Sequence, residues 1–518
     1  MKPSSVTWFQ FSLFPVVCIL LWGCSAQPEP GLGAYASVSF DRGPQLTRQY
    51  CQSCHMLPTP QQLPRGIWRE HVLPKMGRLM GIPADIDGLP YPTEENSFNQ
   101  QAFAQVPMLA EADWHEIVSY FLHESPIEVP TPSLPRISLD TTWFIPRAPV
   151  SGNYVPSTVM IQADAGKRQI WIGEEGGNRL LAFDSALHPV LRTSFPTPVG
   201  WIDPASNPKS ILCMGDFRPS DQPRGALMEV PGSWGGRRKT LIPRLSRAVD
   251  VQRADINQDG LMDWVIAEFG NYAGKLAWYA QREDAEPEPH ILLQKPGAIR
   301  TVIHDLTGEG LPDILALFGQ GDEGVYLFRN PGNGPPQAEL LLRFPPTHGS
   351  SDMALADMNG DGLEDLIIAN GDNGDYPPFV KSHHGLRIYV QEDSFRFVEK
   401  WFWSMPGVGR IAISDLNLDS IPDIVASAFF PDFNQDTIRS LVWLTGGSPP
   451  LSFTAQTFEL QPRGRWLCMD VQDWDQDGDP DIVLGNAMIF LEHVPEKLRA
   501  SWRKQQSGPF LLLENTGQ

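Results

Sequence analysis

Positive charge is scarce in this chain. Its 518 residues carry 40 Lys and Arg against 61 Asp and Glu, a formal net charge of −21. A phosphate backbone is repelled by that balance, and no basic stripe offsets it, which argues against a nucleic-acid partner. Cysteine is scarce too, with six in the whole length, and their placement leaves no disulfide framework. The one long apolar run, Trp8 to Trp22, is too short and too weakly flanked for a stable transmembrane helix. No G-x-S-x-G, no H-E-x-x-H and no glycine-rich phosphate loop after a strand occurs, so no catalytic constellation is legible. What the chain does have is glycine and proline, 45 and 49, which favour many turns over long helices. A hydrophobic content of 42% suffices for buried cores in more than one domain.

Lys2 precedes the apolar run, which ends in "LWGC" with Leu21 three residues before Cys24. This resembles a bacterial lipoprotein signal. The resemblance implies that residues 1–23 are removed and that Cys24 is lipidated and becomes the new N-terminus, tying the chain to a membrane. A plain signal peptide is the alternative, and either reading exports the chain to the periplasm or the cell surface. Ser25 after the lipid-bearing cysteine resembles outer-membrane sorting. Cys18 and Cys24 then belong to targeting, and Cys213 and Cys468 read as buried small hydrophobes. Residues 24–44 lack periodicity and read as a flexible spacer, long enough to hold the next domain about 60 Å from an anchor.

The next segment, "YCQSCH" at 50–55, puts two cysteines two residues apart with a histidine directly after. In this pattern both thiols add to haem vinyl groups while the adjacent imidazole, here His55, turns onto the iron. A redox pair or half of a zinc site is the competing reading, but no second cysteine pair and no thioredoxin-like strand accompany Cys51 and Cys54. A sixth iron ligand is sought among His71, Met76, Met80 and Met108. "WREHVLPKMGRLM" (68–80) resembles the Trp-Val-Met segment of small c-type cytochromes, which implies Met76, with Met80 as rival. Residues 109–122 form an amphipathic helix with Trp114, Ile117, Val118 and Phe121 on its apolar face. In small cytochromes such a helix packs across the one bearing CxxCH. The expectation is one covalent haem c in a small all-α cytochrome c-like domain over 45–125. A proline-rich, semi-rigid linker follows at 126–136.

The rest of the chain repeats at 50–58 residues. Five nonapeptides align without gaps: "DINQDGLMD" (255), "DLTGEGLPD" (305), "DMNGDGLED" (357), "DLNLDSIPD" (415) and "DWDQDGDPD" (473). Each precedes short apolar strands, and two degenerate units come before them, giving seven units of about four strands. Units of this size bury their faces only by closing into a ring. The last unit ends at its third strand, and a missing outer strand stands at 137–149, so that segment is expected to pair with Phe510–Asn515 and lock the ring.

Oxygen donors occupy positions 1, 3, 5 and 9 of each nonapeptide, with glycine at 6 in four of the five, where the backbone turns sharply, and serine there in the loop at 415. This spacing wraps a hard cation. The sets are Asp255, Asn257, Asp259 and Asp263; Asp305, Thr307, Glu309 and Asp313; Asp357, Asn359, Asp361 and Asp365; Asp415, Asn417, Asp419 and Asp423; Asp473, Asp475, Asp477 and Asp481. The alternative is that these are turns whose aspartates cap their own backbone. Together with "FGNYAG" (269–274), the repeats resemble the FG-GAP (or VCBS) repeat of integrin-α-like propellers. That resemblance implies an all-β seven-bladed propeller over 137–518 holding about three to five Ca²⁺. The loop at 473 is the most complete and those at 305 and 415 the most altered.

The histidines His290, His304, His348, His383, His384 and His493 are scattered in sequence. Two insertions, 372–384 and 429–436, fall between second and third strands on the face away from the nonapeptides, where a glycan or protein ligand is expected to dock. Three functions fit these features. One is an extracytoplasmic electron-transfer lipoprotein working with a redox partner or a small electron donor or acceptor. Another is a propeller dehydrogenase whose haem accepts electrons from an organic substrate, and the last is an adhesion or glycan-binding lipoprotein. Electron transfer is favoured, because no catalytic set is found.

Overall fold

The computed structural model describes residues 32–82, 102–149, 155–375, 377, 379–393, 395–459, 462–505 and 507–517. The signal segment and Cys24 lie outside the described residues.

The N-terminal part is a group of short helices. Pro44 in the first turn opens the helix Gly43–Tyr50, its fixed φ suiting a position whose amide has no partner in the helix. The longest helix, Glu111–Glu124, carries Glu111 and Asp113 in its first turn and His123 in its last, which complements the helix dipole. It buries Trp114, Ile117, Val118, Phe121 and Leu122. The two helices meet at Gly43, where a Cβ would stand only 2.3 Å from Tyr120 Cβ, so only glycine permits the contact. Arg42 locks the crossing by donating to Asp113 Oδ1 (2.8 Å) and to Glu116. Between them, Pro74 cannot donate to the preceding turn. The chain answers with one π-turn, Trp68–Val72, before the helix Leu73–Leu79. Trp68 is buried in the same core and donates from Nε1 to Pro60 O at 2.8 Å.

The expected spacer is not free. Gly33–Ser37 forms a 3₁₀ turn, and Leu32 and Tyr35 are buried in the helical core. Two apolar side chains in an otherwise unpatterned segment are enough to fasten it. The 126–136 linker is also held at both ends, Pro126 O accepting from Arg65 N (2.7 Å) and Pro135 O from Arg439.

Seven sheets follow, five of which are built wholly from consecutive antiparallel strands of their own repeat. The second strands, such as Asp365–Asn370 and Asp481–Asn486, are buried along their whole length, as strands sandwiched between neighbouring blades must be. Fourth strands such as Gln337–Phe344 lie at the rim and are mostly exposed. Every first strand carries a register shift near its start, the same irregularity repeated seven times where the strands converge on the axis. The ring closes as the sequence ends imply: Phe144–Arg147 pairs antiparallel with Phe510–Asn515, from Phe144 opposite Asn515 to Arg147 opposite Leu512. A second tie is new. Ser138–Leu139 pairs parallel with the outer strand of the sixth blade and extends that sheet to five strands.

The helical group sits on the propeller face opposite the nonapeptides. Phe379, from the 372–384 insertion, packs into the helical core. Phe103 meets the Tyr272 ring edge-on at 5.1 Å, and Gln62 Oε1 accepts from Thr347 Oγ1 at 3.2 Å. The 429–436 insertion is likewise occupied: Phe433 packs with Ile438, Val494, Leu498 and Trp502. The last two belong to a helix, Glu496–Gln505, that the repeat pattern did not announce. Each insertion thus anchors one aromatic in the chain's own helical parts, while Asp372, Asp375, Asn434, Gln435 and Asp436 remain exposed.

The shared strand supplies a test of closure. Phe144 is 2% exposed and packs against Trp443, while Ile145 beside it is 55% exposed. Phe144→Ala is expected to cost about 3–5 kcal/mol, seen as a lower urea midpoint. Ile145→Ala should stay within about 0.5 kcal/mol of the parent.

Candidate functional site

The five nonapeptides fold alike. The residue at position 6 has positive φ in all of them: Gly260 (+87°), Gly310 (+76°), Gly362 (+86°), Ser420 (+68°) and Gly478 (+106°). Ser420 therefore holds a left-handed conformation that glycine takes at lower cost. The position-1 aspartate accepts two backbone N–H groups, as Asp255 does from Asp259 (3.0 Å) and Gly260 (2.9 Å). Asp415 repeats this with Asp419 and Ser420, and Asp473 with Asp477 and Gly478. Asp305 and Asp357 do the same for Gly310 and Gly362.

The position-9 aspartate is the deeper element. Its Oδ2 accepts the position-2 amide, and its Oδ1 accepts an amide at the end of the third strand. Asp263 binds Ile256 N (3.1 Å) and Gln281 N (2.7 Å); Asp365 binds Met358 N (3.0 Å) and Gln391 N (2.9 Å). Asp313, Asp423 and Asp481 repeat the pair with Leu306 and Asn330, Leu416 and Gly446, and Trp474 and Asn515. The backbone-capping reading is therefore realised at positions 1 and 9. It leaves lone pairs over, since each carboxylate offers about four acceptor directions.

Among the described residues, one group brings three carboxylates together: ligand atoms of Asp473, Asp475 and Asp481 lie within 4.8 Å of one another. In the same loop, Asp475 Oδ1 and Asp479 Oδ1 are buried without any hydrogen-bond partner. Asp479 at position 7 was missed in the sequence, where the other loops have Leu or Ile; a single acid out of pattern was its only signal. Burial, then neighbouring carboxylates, raises the Asp475 carboxyl and lifts Asp479 to about 6. An orphaned, self-repelling oxygen cluster is what a hard cation satisfies, so this donor set fits Ca²⁺. In the loops at 255, 357 and 415 the position-3 amide is spent inside the loop, Asn257, Asn359 and Asn417 each donating Nδ2 to the position-5 carboxylate. At 305, Thr307 instead donates from Oγ1 to Asp313.

Cys51 begins the 3₁₀ turn that continues the helix Gly43–Tyr50, and its amide still bonds Thr47 O. Burial, then Cys54, pushes its thiol up to about 12, whereas Cys54 is exposed; both are free thiols. His55 Nδ1 lies 2.9 Å from Met56 O. A carbonyl only accepts, so Nδ1 carries the proton and the Nε2 lone pair is left for a metal. The donor set thus fits a covalently attached haem. Met76 is half-buried against the helical core, Met80 is 8% exposed within it, and Met108 is exposed. Cys213 and Cys468 are buried, and burial lifts both thiols to about 12.

Three of the scattered histidines come together at the base of the helical group. His348 and His383 stack at 5.1 Å between centroids, and His384 stands edge-on to His383 at 5.4 Å. His383 Nε2 donates to Thr347 O (2.7 Å), and burial holds His348 at about 3 and His383 at about 4, so both are neutral. Their distance in sequence hid this grouping.

The sequence profile of the FG-GAP-like repeat matches residues 305–368 and 357–426, so these are FG-GAP-like repeats within a seven-bladed propeller. No curated protein matches the chain. Among solved structures it is similar to a chain in a complex of a Saccharomyces cerevisiae Dbp5 variant with Nup159, a Gle1 variant, IP6 and ADP. That likeness has 9% identity and a TM-score of 0.45 over 74% of this chain and 98% of that one. The N-terminal domain of Nup159 gives 9% and 0.43 over 74% and 99%. The WD40 domain of fission yeast SCAP gives 11% and 0.34 over 63% and 72%. Nothing about binding or assembly passes from these to the present chain.

The position-9 carboxyls set a pH dependence. Burial, more than any neighbour, lifts Asp365 and Asp423 to about 6 and Asp481 to about 7. Between about pH 4 and 7 the folded state holds protons that the unfolded state has released, so their contribution is full below about pH 4 and is lost as pH rises. In chelator, the propeller's thermal midpoint is expected to fall across that window. Added calcium, which replaces those protons, should flatten the fall.

Proposed function

We propose that this chain is an extracytoplasmic electron-transfer lipoprotein, in which a haem-bearing helical group rides on a calcium-braced propeller that serves as a binding scaffold. The observation that carries the reading is the Cys51–His55 turn: two free thiols and an imidazole whose Nδ1 is already tied to Met56 O. Cys51 and Cys54 would hold the haem through thioethers, His55 Nε2 would bind its iron, and Met76 would be the sixth ligand. A haem so held cycles one electron, and a His/Met pair raises its potential relative to His/His. The helix crossing at Gly43 and Tyr120 keeps the turn rigid, and the Met56 carbonyl orients the imidazole.

Calcium would be held first by Asp473, Asp475, Asp477, Asp479 and Asp481, then by the loops at 255 and 357. Its part is structural, because the loops join first and second strands and reach no cavity of the opposite face. The signal ending at Cys24 would export the chain and attach it by lipid to a membrane, the outer membrane being favoured by Ser25. Fixed on its own propeller, the helical group leaves the redox partner to approach from its outer side. The propeller's part in this reading is support and recognition.

Two measurements test the proposal. Expressed with haem-maturation machinery, the mature chain should carry one haem mass on a peptide containing Cys51 and Cys54; free thiols at both would remove the electron-transfer reading. In that holoprotein, Met76→Ala should abolish the sulfur-to-iron absorption and lower the midpoint potential, while Met80→Ala should keep the absorption.

A further inference from the structure

The first turn of the 372–384 insertion reads Asp372-Asn373-Gly374-Asp375, on the face opposite the nonapeptides. It borders a small cavity whose wall is almost wholly polar, lined by Gln320, Glu323, Asp372, Asn373, Asp375 and Lys381. Glu323 is already satisfied, accepting from Gly349 N (3.2 Å) and Ser350 N (2.8 Å). Asn373 is not. It is 4% exposed, and its Nδ2 donates to Phe379 O at 2.9 Å, which fixes the amide's orientation. The Oδ1 left toward the cavity has no partner at all. A buried acceptor of this kind calls for an occupant. The Asp372 and Asp375 carboxylates, both exposed, and the amide oxygen face two cations: the Lys381 ammonium, which lies 3.4 Å from the Asp372 carbonyl oxygen, and the Arg247 guanidinium, whose charge acts on both aspartates. With Glu323 on the same wall, the acids still outnumber the cations.

We infer that Asp372, Asn373 and Asp375 hold a hard divalent cation of the calcium type, at a site separate from every nonapeptide loop. A ligand set made only of oxygens in a cavity of this size suits such an ion with completing water, and suits neither an anion nor an apolar group. The site lies at the root of the segment that inserts Phe379 into the helical core. Its cation therefore braces the support on which the helical group rests. Lys381 and Arg247 are the competing charges in the apo state.

Calcium content of the full-length protein, measured after equilibration and gel filtration, tests this. The Asp372→Asn/Asp375→Asn variant should retain one equivalent fewer than the parent, and Asp473→Asn/Asp475→Asn should separately lose another. If only the second variant loses metal, the cavity holds water alone and the inference is overturned, while the nonapeptide assignment stands. If only the first loses metal, the inference holds and the nonapeptide assignment fails. Should the double variant not fold, Lys381→Met decides: removing the ammonium should tighten one calcium equivalent by about tenfold, and unchanged affinities would overturn the site.

Discussion

A buried aspartate at the first residue of the second strand is the constraint on which five of the seven blades depend. It is wholly surrounded by protein, and it ties the start of the hairpin loop to the end of the third strand through two backbone amides. Burying a carboxylate without partners is prohibitive. Two N–H donors make it tolerable, and the same two donors fix how three strands meet. The aspartate's removal would leave two amides unsatisfied in each blade, which is why the residue recurs where so much else in the repeats varies.

The two blades that lack it solve the same problem with opposite polarity or none. In the second blade the equivalent residue is Lys209, also buried, and its ammonium donates to the carbonyl oxygens of Pro204 and Ser206 in the preceding turn. There the loop presents acceptors where the others present amides. Asp203 organises that turn by accepting from Ala205 N and Ser206 N. In the first blade Gln169 stands at the position. The loops of these two blades lack the acidic nonapeptide, which is confined to the third to seventh blades.

Much of this was legible in the sequence because the repeat is enforced by chemistry. A left-handed residue at position 6 and acids at 1 and 9 fix a hairpin whatever surrounds it, and period-two strands must follow. Strand sharing could be read from a final repeat that stops one strand short. The helix Glu496–Gln505 escaped notice although Leu498 and Trp502 stand four residues apart, since it sits inside an interval the repeat spacing already allotted to loop and strand. Docking of the helical group was illegible for a different reason. Phe379, Tyr272 and Thr347 come from three separate loops, and only the closed ring brings them to one surface. The histidine group and the oxygen-lined cavity share that origin.

Around the axis, successive first strands place Asp250, Arg300, Asp352 and Arg410 at the same irregular position, so charge alternates from the third blade to the sixth. Arg300 reaches Asp352 at 3.4 Å and Asp250 at 3.7 Å, and Asp352 in turn raises its affinity for a proton. These carboxylates also accept across blades, Asp250 from Thr301 N (2.7 Å) and Asp352 from Ile411 N (3.0 Å). A hydrophobic replacement would leave those amides bare, and it would slide freely along its neighbour; a carboxylate bound to one amide cannot. The axial charges thus set the register between blades as the position-9 aspartates set it within them. Because the first strands run from the nonapeptide loops to the face that carries the helical group, a register held at the axis keeps the two faces in fixed relation.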